Sequence, residues 1–177
     1  MKNYTGRAIA ILALSVVFSI AGCSGQKEVV DTQAGASLTP GQKFTLKNLN
    51  GEDVRLEDQL KAHQAVLLNF WATWCAYCVE EMPDLIKFQA ENSSKGFTII
   101  GVNAGESQDQ VAPFVKKMEL NFPVVLDEEM DVAQQYGLVG IPTSILINSE
   151  GKIIGKYNSF SRRLQSDVAK VLEQNNV

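Results

Sequence analysis

Val66-Leu67-Leu68-Asn69-Phe70-Trp71 runs straight into Ala72-Thr73-Trp74-Cys75-Ala76-Tyr77-Cys78. The first six residues are apolar at every position but Asn69. So short and continuous a run fits a strand covered on both faces, as in a parallel or mixed sheet. After the cysteines, Val79, Met82, Leu85, Ile86 and Phe88 recur at helical spacing. A helix is therefore expected over 75–92, kinked near Pro83 and closed by Gly96. The two cysteines sit where a buried strand ends and a helix begins. There Cys75 meets unpaired N–H groups and the positive end of the helix dipole, both of which favour thiolate over thiol. Cys78 lies about one turn further along. It is expected to be less exposed than Cys75, and it is placed to close a disulfide or to resolve a mixed one.

Outward from this junction the apolar pattern keeps switching period. Strands are expected over 97–102, 123–126, 143–147 and 153–157, the last two joined by Ser149-Glu150-Gly151. Helices are expected over 108–118, with Val111, Phe114, Val115 and Met118 on one face, and over 128–136, ended by Gly137. A final amphipathic helix over 162–173 turns Leu164, Val168, Val171 and Leu172 inward. Upstream, Phe44-Thr45-Leu46 and Val54-Arg55-Leu56 flank Asn50-Gly51, a hairpin signal, and a short helix or turn follows over 57–61. Strands alternate with helices and a hairpin closes the sheet, which defines an α/β fold with a mixed central sheet.

The chain has 177 residues, enough for one domain with appendages, and 45% are apolar. Its net charge of −4 excludes the basic surface that nucleic acid requires. Lys2 and Arg7 precede an apolar run over 8–20 that ends in Ile20-Ala21-Gly22-Cys23. That order is a secretory signal, and the run is shorter than the roughly 20 residues of a spanning helix. Ile-Ala-Gly-Cys resembles the lipobox of bacterial lipoproteins. The resemblance implies that 1–22 is a lipoprotein signal peptide and that Cys23 carries the lipid, which withdraws its thiol from redox chemistry. An ordinary signal or an uncleaved anchor, with Cys23 incidental, is the competing reading. Removing 1–22 leaves 14 basic and 20 acidic side chains, so the acyl chains rather than surface charge would hold the membrane. Residues 23–40 read as lipid anchor and flexible tether, rich in Gly, Ser, Thr, Gln and Ala, and 41–177 as the folded domain.

Phe70-Trp71-Ala72-Thr73-Trp74-Cys75-Ala76-Tyr77-Cys78 resembles the active-site segment of thioredoxins, both tryptophans included. Gly140-Ile141-Pro142-Thr143 resembles the cis-proline turn of that family. The resemblance implies a thioredoxin-like fold. It also implies that Pro142 lies against the C-x-x-C, that Ile141 and Pro142 receive a substrate strand, and that Trp74 borders the sulfur and the groove. Where thioredoxins place a buried Asp, this chain has Asn69, which cannot shuttle a proton. Instead Glu81 follows Cys78 by three residues, on the same helix face. Cys75-x-x-Cys78-x-x-Glu81-x-Pro83 resembles the ResA/TlpA-like extracytoplasmic thioredoxins. The N-terminal hairpin and the central helix–strand insertion within 105–126 agree with them, and the likeness covers roughly 40–177.

This resemblance implies a membrane-anchored enzyme on the extracytoplasmic face of a bacterial membrane. It would be a thiol–disulfide oxidoreductase with no cofactor beyond the redox-active Cys75–Cys78 disulfide. Its substrates would be disulfides of exported proteins, with the haem-binding cysteines of apocytochrome c the leading case. A membrane thiol-reductase of the CcdA type would supply its electrons. Glu81 would move protons at Cys78; the alternative for it is a solvated helix-surface acid, as expected for Glu80. Ala76-Tyr77 has neither the Gly-Pro of thioredoxin nor the His of strongly oxidising relatives, which leans towards a reductant.

Other chemistries fit less well. A structural zinc site takes four ligands, and the chain offers Cys75, Cys78 and one histidine, His63, expected at the surface before the core strand. A purely structural disulfide gains little from so short a loop. A peroxiredoxin-like peroxidase calls for P-x-x-x-T-x-x-C, whereas Leu68 and Ala72 occupy those two positions. A non-catalytic protein that binds a partner through the Pro142 groove would show no turnover.

Overall fold

In the computed structural model, which describes residues 35–38 and 42–174, strand β3 (Ala65–Trp71) is buried at all seven positions. It pairs in parallel with β4 (Phe97–Ala104) and antiparallel with β6 (Thr143–Asn148). Beyond β4 lie β5 (Val124–Asp127), β1 (Thr45–Asn48) and β2 (Asp53–Arg55); beyond β6 lies β7 (Ile153–Tyr157). The sheet order is β2-β1-β5-β4-β3-β6-β7. Three parallel strands form its middle, and an antiparallel hairpin finishes each side.

Alternation along β3 explains its unbroken apolarity. Val66, Leu68 and Phe70 enter a cluster with Leu56 and Leu60 of α1 (Leu56–Ala62) and Val132 and Ala133 of α4 (Asp131–Gln135). Ala65, Leu67 and Trp71 enter the opposite cluster. There they meet Met82, Leu85 and Phe88 of α2 (Ala76–Asn92), Val111 of α3 (Gln108–Met118), and Leu164, Val168, Val171 and Leu172 of α5 (Arg162–Gln174). Helices cover both faces, and burial of each large side chain contributes about 1.5–3 kcal/mol.

Both hairpins turn by the same local chemistry. Asn48 Oδ1 accepts from the N–H groups of Asn50 and Glu52, and Asn148 Oδ1 accepts from that of Lys152. Three residues on from each Asn, Gly51 (φ 79°) and Gly151 (φ 78°) adopt the left-handed conformation that such loops require. The hairpin expected around Asn50-Gly51 therefore closes with Thr45 opposite Arg55. α2 contains Pro83, and a short 3₁₀ turn, Ser93–Lys95, carries the chain on to left-handed Gly96.

One helix is shorter than expected. The run over 128–136 yields only α4, Asp131–Gln135. The Asp127 carboxylate accepts from the N–H groups of Val132 and Ala133 at 3.1 and 2.8 Å, so the helix is capped from the preceding strand. Glu128 and Glu129 are used in the turn, and Met130 is left-handed at φ 61°.

The expected signal over 1–22, Cys23 and most of the tether lie outside the described residues. Within the tether, residues 35–38 are not free. They run antiparallel to β7: Gly35 N–H donates to Ile153 O (2.6 Å), Ile153 N–H to Ala36 O (2.8 Å) and Leu38 N–H to Gly151 O (2.9 Å). Among the described residues, no helix is long and apolar enough to cross a membrane.

Candidate active site

At the end of β3 the chain turns sharply before α2. Cys75 N–H donates back to Ala72 O at 3.2 Å. Cys75 then caps α2 with extended backbone (φ −84°, ψ 102°), its Sγ accepting from Cys78 N–H at 3.2 Å. The two cysteines form a disulfide with a Cα–Cα distance of 5.3 Å. Cys75 keeps 7% of its surface exposed and Cys78 none, so Cys75 is the more accessible of the two.

Glu81 is buried one turn beyond Cys78. Asn69 Nδ2 donates to its Oε1 at 3.0 Å and also to Ser144 Oγ at 3.0 Å. The Phe160 N–H donates to Glu81 Oε2 at 2.9 Å. Burial pushes the Glu81 carboxyl above its usual range; the Phe160 and Asn69 hydrogen bonds pull it partly back, and the Asp84 charge raises it further. Asn69, the strand residue at the usual Asp position, is thus bonded directly to the helix carboxylate. Glu80 is exposed.

Ile141–Pro142 is a cis peptide. In the β3–β6 ladder Thr143 faces Phe70, so Pro142 falls beside the end of β3, level with the cysteine turn. Two hollows open on either side of this segment. One, of about 580 Å³, is lined by Tyr77, Glu81, Pro142 and Phe160 among others. The second, of about 610 Å³, is lined by Trp74, Met130, Leu138 and Ile141. Among the described residues, the exposed large apolar side chains are Trp74 (71%), Tyr77 (75%), Met130 and Val139. Each of them lines one of these hollows, which marks the area as a contact surface. His63 is half-buried with its ring against Gln59 O, and no group of three metal-binding side chains occurs among the described residues. Cys23 lies outside them.

Glu106 escapes a reading by motif and spacing. This residue, 4% exposed, accepts from the Thr73 N–H at 2.7 Å, from the Thr73 hydroxyl and from Asn103 Nδ2 at 2.7 Å. Placed just before the Ser107 N-cap of α3, it reads in sequence as an ordinary acid at a helix start.

A central strand, a dithiol turn, a helix and a facing cis-proline, in this order, make the thioredoxin fold. The AhpC/TSA family model matches residues 39–156, and the chain belongs to that family. It is ResA-like, being 42% identical over 111 residues to the thiol-disulfide oxidoreductase ResA of Bacillus subtilis. That match covers 63% of this chain and 61% of the relative, so the chain spans less than two thirds of the curated relatives' length. Among solved structures it is similar to the thioredoxin domain of a thiol-disulfide oxidoreductase from Bacteroides vulgatus. The identity there is 31% and the TM-score 0.68, covering 77% of this chain and 98% of that one. It is also similar to a thiol:disulfide interchange protein from a Bacteroides species. That pair has 30% identity and a TM-score of 0.67, covering 79% and 90%.

Proposed function

We propose that this protein is a thiol–disulfide oxidoreductase that reduces disulfides of exported proteins. The observation that carries the reading is the Cys75–Cys78 disulfide at the start of α2, with Cys75 the less buried of the pair. In the reduced enzyme, the Cys75 thiolate attacks a substrate disulfide, forming a mixed disulfide and releasing one substrate thiolate. Cys78 then loses its proton and attacks Cys75 Sγ. This forms the Cys75–Cys78 disulfide and expels the second substrate thiolate. Two electrons pass to the substrate, and the protons given up by Cys75 and Cys78 match the two taken up by the product thiols. Glu81 serves as the proton acceptor for Cys78; its raised carboxyl and its position one turn away support the role. Trp74, Ile141 and Pro142 form the docking wall, supported by the hollows they line.

The lipobox-like Ile20-Ala21-Gly22-Cys23 supports lipid attachment at Cys23 and an extracytoplasmic, membrane-held enzyme. The resemblance of Cys75-x-x-Cys78-x-x-Glu81-x-Pro83 to the ResA/TlpA-like thioredoxins supports apocytochrome c as a substrate and a CcdA-type membrane reductase as donor. A peroxidase reading is disfavoured by Leu68 and Ala72 at the two positions where its motif needs Pro and Thr.

The test is turnover and trapping. Reduced protein is expected to reduce insulin disulfides, Cys75→Ser to be inactive, and Cys78→Ser to accumulate a mixed disulfide through Cys75. Reductase activity retained by Cys75→Ser would overturn the assignment. A wild-type protein that binds partners but turns nothing over would favour the non-catalytic binder.

A further inference from the structure

The dithiol turn is gripped from behind by a carboxylate outside the C-x-x-C helix. Glu106 follows the end of β4, where left-handed Gly105 (φ 78°), its N–H on Asp127 O at 3.0 Å, bends the chain back towards β3. Three donors converge on its two oxygens. Thr73 supplies both its backbone N–H and its hydroxyl, and Asn103, also from β4, supplies its amide. Two bonds to one residue fix orientation as well as position. Thr73 is an inner residue of the Ala72–Cys75 turn. Its neighbour Trp74 is 71% exposed, so between the buried ends Ala72 and Cys75 side-chain packing does little to hold the turn's inner residues.

A buried carboxylate is costly to desolvate, and a neutral acceptor could satisfy one amide N–H at less cost. What the carboxylate adds is two strong acceptor atoms in a rigid fork, with charge-assisted bonds about twice as strong as neutral ones. We infer that Glu106 is a positioning residue for the oxidoreductase reaction. By holding Thr73 it sets where Cys75 Sγ and the Trp74 ring meet an incoming protein disulfide. The inference rests on the reductase reading and adds to it a residue from a different element. Glu106 itself touches neither sulfur nor substrate.

Glu106→Gln keeps the shape but sets an NH2 group against one of the donors. With a protein disulfide as substrate, kcat/KM is expected to fall about ten- to a hundredfold, because small misplacements of a reacting group are felt steeply. Exchange with a small aromatic disulfide, which has no need of the Trp74 surface, should change by less than about threefold. Thr73→Val should show the same split, and Thr73→Ser, which keeps both donors, should restore wild-type kinetics. Amide hydrogen exchange at residues 73–75 should accelerate at least about tenfold in Glu106→Gln, with β3 unchanged. Equal losses on both substrates, or Thr73→Ser as impaired as Thr73→Val, would overturn the positioning role. So would unaltered exchange at 73–75. If Glu106→Gln fails to fold, the Thr73 pair decides. If the wild-type protein reduces nothing, the reductase reading falls, while amide exchange still decides whether Glu106 holds the turn.

Discussion

Glu81, proposed above as the proton acceptor for Cys78, would tie that step to the stability of the fold. Its carboxyl is raised above the usual 4.5 mainly by burial, so the folded state holds this proton more tightly than the unfolded chain does. The folded protein then binds more protons than the unfolded chain as pH rises past 4.5, and stability drains away as pH climbs through the folded-state value. Glu81→Gln removes this dependence. Relative to wild type, the variant should gain stability as pH rises past the ordinary carboxyl value of 4.5, until Glu81 is ionised in the folded state as well, and differ by a constant amount below that window. Urea unfolding at a series of pH values would read this directly; parallel curves would mean that Glu81 ionises freely. In the same variant the resolving attack by Cys78 should slow by about a hundredfold, the usual scale of general base catalysis. The placement of Cys75, Cys78, Glu81 and Pro142 about one turn was legible because each stands at a fixed interval from a strand-to-helix junction or a turn. Glu106 was not, because its partner Thr73 is 33 residues away and only the β3–β4 pairing brings the two together.

Elements were readable wherever one period ran without interruption. β3, α3 and α5 lie where their apolar spacing puts them, and the Ser107 capping box with Gln110 marks the start of α3. α4 was over-extended because its first turn is decided by the Asp127 side chain, a contact that period cannot reveal. β4 holds a further dependence. A Cβ on Gly101 would come within 3.0 Å of Trp71 Nε1 and 3.2 Å of the Phe122 ring. Trp71 is fully buried and stacks on Phe114 at 5.2 Å, so it has little room to retreat. Gly101→Ala should therefore cost about 1–3 kcal/mol by overpacking. Because Trp71 is the last residue of β3, the same push should also reach the cysteine turn and slow protein-disulfide reduction. A denaturation midpoint equal to that of wild type would show that β4 can yield at this point.

At the scale of the whole molecule, the sheet has two edges, β2 and β7, and β7 is partly covered by residues that sequence composition assigns to a tether. Gly, Ser and Ala make residues 35–38 look like spacer, yet their backbone donors and acceptors find partners on Ile153 at the start of β7 and on Gly151 in the turn before it, and Leu38 packs against the α1–α4 face. Composition reports side-chain content and is blind to backbone pairing of this kind. The contact has a definite place. Ile153 pairs with Ile147, and Ile147 with Val66, so it lies at the beginning of β3, whereas the dithiol follows its end at Trp71. Covering β7 should therefore stabilise the sheet without touching the chemistry. A chain that begins at Gln42 loses three backbone hydrogen bonds, each worth roughly 0.5–1.5 kcal/mol net, and should unfold about 1.5–4.5 kcal/mol more easily. Its insulin-reducing kcat/KM in solution should match that of a chain that begins at residue 31. The truncated protein also exposes unpaired N–H and C=O groups at residues 151–153, where β7 begins, so it should self-associate more readily as concentration rises. Urea midpoints and light scattering on the two chains test both statements. Equal midpoints would mean that residues 35–38 add nothing to the sheet, and a fall in turnover would mean that the β7 edge and the cysteine turn are coupled through the sheet.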